Sequence, residues 1–515
     1  MKPRRRAGPL LAGGLALIGG WHLLLRGQGR GVPITADEGE YAMAARAWSE
    51  GGLPYRDVYS QKPPLIFLVY RLAGAVSSSP VAPRALASLA GIAALLALFF
   101  AAPAAWSAPA RLAGPAAFAA LAALPIGDYG FIAGTETFVN LFAALSSVAL
   151  LRGAPFLAGL AAGAALSSKQ TALWTLLGFG ALAVWTPRGV SAKRAGLYAG
   201  GAAAIPVACA LYFAARGDFA DYWTCVWSGN ARYAAVLLAA GALGGQLAWF
   251  ATTLLPRLLA FLAPALGLTY YALRGRAAGA ARPLETLCVV WLGGAVAGAL
   301  TGLFLFPHYF LALAPALALG AACGVERLPA KRRVAAVAVL ALWPALLAPR
   351  MIFWPDARAR SLSLLYPNPL FETQTLGQEI ARRAAPDDRL HVFGYEGALF
   401  TYSGLRPATR QSASYALTLF PEDGAAWRAE LKLLSDAPPR FVVWSCQPLS
   451  TMIASQHGAD YRDALKRFLI NGYAYAGSVR VSDAPALPVF EAAAPGEPPP
   501  FADEDRLLLF TRRGL

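Results

Sequence analysis

The chain has 515 residues, of which 57% are apolar and only 14% charged, with a formal net charge of +16. Soluble domains carry about 25% charged residues, and the apolar residues here fall in repeated runs of roughly 17–25, the length that crosses a hydrocarbon core about 30 Å thick. A soluble fold is therefore excluded. The basic charge does not indicate nucleic acid either, because no basic stripe is interleaved with aromatics.

In chain order, Lys2 and Arg4–Arg6 precede an apolar run, Leu10 to Leu25, with no clean small-x-small cleavage site. It reads as a retained first helix, not a signal peptide. Further basic clusters lie between apolar runs: Arg188, Lys193 and Arg194; Arg274, Arg276 and Arg282; Arg327, Lys331, Arg332 and Arg333. Such clusters mark cytoplasmic loops. Threading with them inside predicts about eleven spans, at 8–25, 84–102, 113–127, 137–151, 154–167, 171–186, 195–215, 250–273, 285–306, 309–325 and 334–349. Alanine and glycine dominate these runs, and small residues let helices approach closely in a bilayer. The stretch 216–257 reads either as a surface helix or as an extra span. An odd count starting in the cytoplasm puts the C-terminal region outside.

Residues 1–350 thus form an all-α polytopic membrane domain with a first outer loop at 26–79, and 351–515 form a second domain. The second domain holds 18 of the 29 acidic residues and no long apolar run. Its β-like stretches Leu390–Phe393, Phe441–Trp444 and Leu507–Phe510 alternate with helical ones at 376–384, 425–434 and 461–471, predicting a small extracytoplasmic α/β domain. The five cysteines, at 209, 225, 288, 323 and 446, have neither metal spacing nor a disulfide framework.

Eleven acidic residues precede position 350. Nine fall outside in this threading: Asp37, Glu38, Glu40, Glu50, Asp57, Asp128, Glu136, Asp218 and Asp221; Glu285 and Glu326 fall inside. Acidic residues contribute little to orientation, so the bias indicates an outward-facing polar site.

The first outer loop carries the chemistry. Ile34 to Trp48 predicts a short amphipathic helix starting near Thr35, followed by a Gly51-Gly-Leu-Pro-Tyr55 turn and then Gln61-Lys62-Pro63-Pro64-Leu65. Proline is at home in the first helical turn, so a helix is expected to begin at Pro63-Pro64. Helix N-termini attract phosphate, and Lys62 adds a full charge there. Its other reading is a lysine snorkelling to the interface. Thr35 and Glu38 have the spacing of a capping box, so Glu38 and Asp37 read either as helix-start residues or as chemical groups. Only seven of the 45 basic residues are lysine. Lys62 and Lys169 keep the compact ammonium, which a guanidinium does not replace at a phosphate.

Taken together, Asp37-Glu38, Tyr41, the Gly-x-Pro-Tyr55 turn and Lys62-Pro-Pro-Leu resemble the signature of the GT-C glycosyltransferases. The likeness is to the family 39 branch of protein O-mannosyltransferases and lipid A aminoarabinose transferases, in its bacterial members. It extends to Gly134-Thr-Glu136-Thr-Phe, Ser168-Lys169-Gln170-Thr171, Pro307-His308-Tyr309-Phe310 and Pro386-Asp-Asp-Arg389 leading into Val392-Phe-Gly-Tyr395.

The resemblance implies catalytic roles for Asp37, as base, and Glu38. It implies donor-phosphate roles for Lys62, Lys169 and Tyr41, and acceptor or supporting roles for Glu136, Tyr55, His308 and Tyr309. The implied reaction is inverting transfer of a sugar from a polyprenyl-phosphate donor to a lipid, glycan or protein acceptor outside the plasma membrane. The branch implies no cofactor and no essential metal; Asp37, Glu38 and Glu136 are the residues a divalent ion would use. The rival reading is a transporter or flippase, which would place polar residues at mid-membrane and show internal repeats; neither is evident.

Overall fold

The structure is a computed structural model that describes residues 4–123, 130–186, 189–239, 241–274, 282–353, 356–420 and 424–514. Asp128, Arg188 and Arg276 of the sequence reading lie outside these residues.

The membrane domain is helical. Helices α1 (Arg4–Arg26), α2 (Ala36–Ser49), α3 (Leu65–Val76), α4 (Ala82–Ala101), α5 (Ala108–Leu121), α6 (Thr135–Leu151), α7 (Pro155–Leu166) and α8 (Leu173–Val184) are followed by a two-strand turn, β1 (Trp185–Thr186) and β2 (Gly189–Val190). Then come α9 (Ala192–Ala215), α10 (Phe219–Trp223), α11 (Gly229–Ala239), α12 (Leu243–Trp249), α13 (Leu255–Arg274), α14 (Arg282–Leu300), α15 (Ala314–Arg327) and α16 (Ala330–Leu347). Each expected span overlaps one of these helices. Among the described residues, six helical segments are long and apolar enough to cross a membrane: Gly8–Gly29, Ala82–Ala101, Ala192–Ala215, Leu243–Arg274, Pro283–Leu300 and Pro307–Arg327. The remaining spans are met by the shorter helices α5, α6, α7 and α8 and by α16. Region 216–257 holds α10 to α12, with α12 running through a π-helical turn, Phe250–Leu254, into α13.

Small residues do the packing the composition suggested. A Cβ on Gly159 of α7 would lie 2.1 Å from the Tyr198 carbonyl oxygen of α9, and one on Gly201 would lie 2.2 Å from that of Phe156. The two backbones therefore touch, an approach only glycine permits. Helix α15 is buried along most of its length at the centre. Leu89, Leu177 and Leu211 are more than half exposed on the rim. An apolar rim of this kind suits lipid, not water.

After α17 (Pro349–Phe353), α18 (Ala357–Leu365) and α19 (Leu370–Arg383) comes the α/β domain. Its strands are β3 (Arg389–Phe393), β4 (Arg406–Pro407), β5 (Phe441–Ser445), β6 (Tyr473–Arg480), β7 (Phe490–Ala492) and β8 (Arg506–Arg512). Between them lie α20 (Ala398–Ser403), α21 (Tyr415–Thr418), α22 (Ala425–Asp436), α23 (Pro448–Thr451) and α24 (Gln456–Gly472). The sheet order is β4-β3-β5-β8-β6-β7; β3 pairs parallel with β4 and β5, and the other pairs are antiparallel. The three expected strands are β3, β5 and β8. Strand β6 escapes a sequence reading because it starts at Tyr473, directly after α24 ends at Gly472, with no intervening turn residues.

The α/β domain rests on α2. A Cβ on Gly39 would lie 2.2 Å from the Ala398 backbone nitrogen, and Gly397 in turn abuts Glu40. This glycine-to-backbone contact brings the end of β3 over the start of α2.

Candidate active site

Helix α2 begins with the expected capping box: Glu38 N–H donates to Thr35 Oγ1 (3.2 Å) and Thr35 N–H to Glu38 Oε2 (3.1 Å). Glu38 also forms a bidentate pair with Arg84 of α4, at 2.9 and 2.6 Å, and accepts from Ala133 N–H at 3.1 Å. With both oxygens taken and 1% exposure, Glu38 is a structural anchor between loop and bundle. It points away from the groups gathered around Asp37.

Asp37 and Glu40 are three residues apart and so share a helix face. Both carboxylates contact the Tyr395 hydroxyl, which arrives from the end of β3. That hydroxyl bonds Asp37 Oδ1 and lies 2.9 Å from Glu40 Oε2, while Ser60 Oγ donates to Glu40 Oε1. Burial alone would raise the Asp37 pKa, but Lys62, His308 and the Tyr395 hydroxyl outweigh it and hold the carboxyl below its ordinary range. Glu40 is pushed up to about 7, by burial first and by the neighbouring Asp37 charge, despite Lys62 and two hydroxyl contacts. Adjacent carboxyls with pKa values driven apart are the arrangement from which acid–base chemistry is built.

Lys62 sits in an extended loop fixed on both sides. The Gln61 carbonyl accepts from Gln170 Nε2 (2.7 Å) and Asn230 Nδ2 (2.8 Å), and the Lys62 carbonyl accepts from the Tyr55 hydroxyl (2.8 Å). Helix α3 starts after Pro64, and its Leu65 N–H donates to the Ser167 carbonyl at 3.2 Å, so one helix-start donor is spent on the protein. Among the described residues, the Lys62 ammonium makes no hydrogen bond or ion pair. Burial would lower its pKa, yet Asp37, Glu40 and Glu136 raise it above the ordinary lysine value. The result is a fixed positive charge without a direct partner.

Glu136, in the first turn of α6, bonds Lys169 and accepts from Thr135 Oγ1 at 3.0 Å, with His308 Nε2 3.8 Å away. The Lys169 ammonium also lies 4.1 Å from the centre of the Tyr309 ring. The loop before His308 carries Leu303 and Leu305 at φ 58° and 52°. Leucine rarely adopts this left-handed conformation, and such strain gathers where a fold must deliver functional groups. The Tyr233 hydroxyl lies within electrostatic reach of Tyr309, Lys62 and Asp37.

Asp37, Lys62, Glu136, Lys169, His308 and Tyr309 are therefore brought together. Tyr41 and Tyr55 are buried behind them: Tyr41 stands edge-on to Tyr70 at 5.5 Å, and Tyr55 packs on Phe213 at 5.1 Å and Tyr222 at 5.6 Å. The site residues that sequence reasoning did not single out are Glu40, Ser60, Tyr233 and Tyr395. Glu40 was findable, since three-residue spacing from Asp37 on a helix puts it on the same face. Nothing in the sequence links Tyr395 or Tyr233 to position 37. Among the described residues, no three His, Cys, Asp or Glu side chains converge as a metal site would require.

A bundle of apolar helices with an α/β domain seated on α2 makes up the GT-C fold. Solved structures share it across nearly the whole chain. ArnT from Cupriavidus metallidurans bound to undecaprenyl phosphate is 16% identical, with 97% of each chain covered and a TM-score of 0.53. Its apo form is 15% identical, again over 97% of each chain, with a TM-score of 0.50. The oligosaccharyltransferase of Archaeoglobus fulgidus, tethered to an acceptor peptide containing the NVT sequon, is 13% identical; 94% of this chain and 74% of that one are covered, with a TM-score of 0.53. At these identities the likeness is one of fold. No family model and no curated protein sequence matches the chain.

Proposed function

We propose that the protein is a membrane glycosyltransferase that moves a sugar from a polyprenyl-phosphate carrier to a hydroxyl of an extracytoplasmic lipid, glycan or protein. The observation that carries this reading is the pairing of an ionised, half-buried Asp37 with a half-buried Lys62 whose ammonium has no direct partner among the described residues. One group suits taking a proton, the other an incoming phosphate. A solved structure with this fold, ArnT from Cupriavidus metallidurans, holds undecaprenyl phosphate, a polyprenyl-phosphate lipid.

In this mechanism the acceptor oxygen attacks the anomeric carbon as Asp37 removes its proton. The carbon–oxygen bond to the carrier breaks on the opposite side, so the configuration inverts. Lys62 stabilises the negative charge that develops on the departing lipid phosphate. Lys169, anchored by Glu136, adds positive charge at the rim, and His308 and Tyr309 line the approach. Tyr395 closes the site from the α/β domain. The first outer loop and the α/β domain lie on the extracytoplasmic side of the bacterial plasma membrane, with the N-terminus in the cytoplasm.

Membranes supplied with polyprenyl-phosphate sugars test the chemistry. Asp37→Asn is expected to lower transfer by roughly 10²-fold or more, and transfer at the wild-type rate removes Asp37 as the base. Single cysteines at positions 57 and 190, both exposed, test orientation in intact cells: an impermeant thiol reagent should label 57 and spare 190.

A further inference from the structure

A pocket apart from the groups around Asp37 opens beside the loop that leads into α2. It encloses about 440 Å³ between the end of α1, the start of α4 and the α/β domain. Among the described residues, three arginines line it, Arg26, Arg30 and Arg84, and no acidic side chain does. None of the residues around Lys62 contributes.

The charges in this pocket do not balance. Arg84 is 9% exposed, and all five of its N–H groups are committed, to Glu38 and to the carbonyls of Gly29, Val32 and Pro33. Arg26 is 6% exposed and bonds only neutral acceptors: Ser88 Oγ at 2.9 Å and the carbonyls of Gly130, Phe131 and Ile132 at 3.0 to 3.1 Å. No carboxylate lies within ion-pair distance of Arg26 among the described residues. Arg30, at the mouth, is exposed, and its guanidinium has no partner among them. Among the described residues, Glu38 is thus paired with Arg84 alone, and Arg26, which is buried, and Arg30 have no counter-charge in contact. A buried charge without a counter-charge is costly, and an anion entering the open pocket would remove that cost.

The rim indicates what kind of anion. Leu23 is 50% exposed and Val81 39%, and both border the pocket where α1 and α4 leave the bundle. A ligand with an anionic head and an acyl tail satisfies both surfaces at once, and an arginine fork matches phosphate oxygens. Arginine on the outer side also runs against the usual charge bias of membrane proteins, so its concentration here asks for a local reason.

We propose that this pocket binds the phosphate headgroup of an anionic lipid, at a site separate from the one that performs transfer. The bound lipid supplies the counter-charge that Arg26 and Arg30 lack and fixes the end of α1 against the start of α4.

Native mass spectrometry of the full-length protein, reconstituted with phosphatidylglycerol or phosphatidylcholine, tests the proposal. Wild-type protein should retain one phosphatidylglycerol in preference to phosphatidylcholine. Arg30→Gln, at a side chain that nothing in the fold uses, should weaken that retention roughly five- to tenfold, as expected for one lost charge-assisted hydrogen bond. Lys331→Gln, at the opposite end of the bundle, should leave it unchanged. Equal retention of both lipids by the wild type, unaltered retention in Arg30→Gln, or complete displacement by millimolar inorganic phosphate would each overturn the proposal, the last by showing that the phosphate needs no lipid.

Discussion

The hydroxyl of Tyr395, in the α/β domain, hydrogen-bonds the carboxylate of Asp37, 358 positions earlier in α2. The same oxygen lies 2.9 Å from Glu40. A phenol has one proton to give. Two carboxylates can share it without conflict only if one is itself protonated and donates back. Glu40, with its pKa near 7, is the group suited to that, which leaves the phenol proton to Asp37.

Tyr395→Phe is therefore expected to lower the turnover number roughly tenfold while leaving the fold intact, the scale of one charged hydrogen bond of about 1.5 kcal/mol. Its pH signature distinguishes tuning from mere packing. The phenol holds the Asp37 pKa down, so its loss raises that pKa and shifts the acid limb of the rate profile to higher pH. A rate profile with an unmoved acid limb would show that Tyr395 does not act on Asp37.

Glu40→Gln addresses the neighbouring carboxyl. Above about pH 7 an ionised Glu40 competes for the tyrosine proton and adds negative charge beside the departing phosphate. The wild-type rate should fall as the pH rises through this value. The glutamine variant, neutral throughout, should lose that inflection. Rates of transfer measured between roughly pH 6 and 8.5 decide the matter, and an inflection that survives in Glu40→Gln would assign it to another group.

Glu38 and Arg84 should behave as a structural pair. Their side chains are 2% and 10% exposed, and removing one member strands the other. Glu38→Gln and Arg84→Met are each expected to destabilise the protein by about 3 kcal/mol or more, read as a lower thermal midpoint in detergent. A double variant should recover part of the loss, since it strands no charge. Full stability in the single variants would contradict the anchoring role.

The α/β domain carries its own pH dependence. Glu430 is 4% exposed; burial pushes its pKa up to about 7, although Thr409 donates to it and Arg410 is near. A carboxyl with a raised folded-state pKa binds a proton more tightly folded than unfolded. Its contribution is present in full below the unfolded value near 4.5 and is lost as pH rises through about 7. Glu430→Gln should flatten this decline, so that its stability relative to wild type improves between pH 5 and 8. Urea unfolding of the full chain, followed by tryptophan fluorescence, gives the comparison; parallel stability curves would show that Glu430 is not the titrating group.

Much of the architecture was legible before any coordinates. Apolar runs of membrane-spanning length marked the helices, because the bilayer demands that every backbone group be satisfied within its own segment. The capping box at Thr35 and Glu38 was readable for the same local reason: its partners are three residues apart. Strands β3, β5 and β8 showed as short apolar runs between polar stretches. Strand β6 did not, since no turn residue separates it from α24.

The site divides along the same line. Sequence spacing and resemblance singled out Asp37, Lys62, Glu136 and Lys169, each a charged residue in an otherwise charge-poor domain. Of the two glutamates flanking Gly39, the sequence reading gave the chemistry to Glu38 and passed over Glu40. Glu38 is drawn to Arg84 and Glu40 to Tyr395, and both partners come from elements distant in the chain. The contact of Gly39 with Ala398, the arrival of Tyr395 over Asp37 and the charge imbalance around Arg26 arise only when separate elements pack. Local patterns determine which segments cross the membrane; long-range packing determines which charges meet.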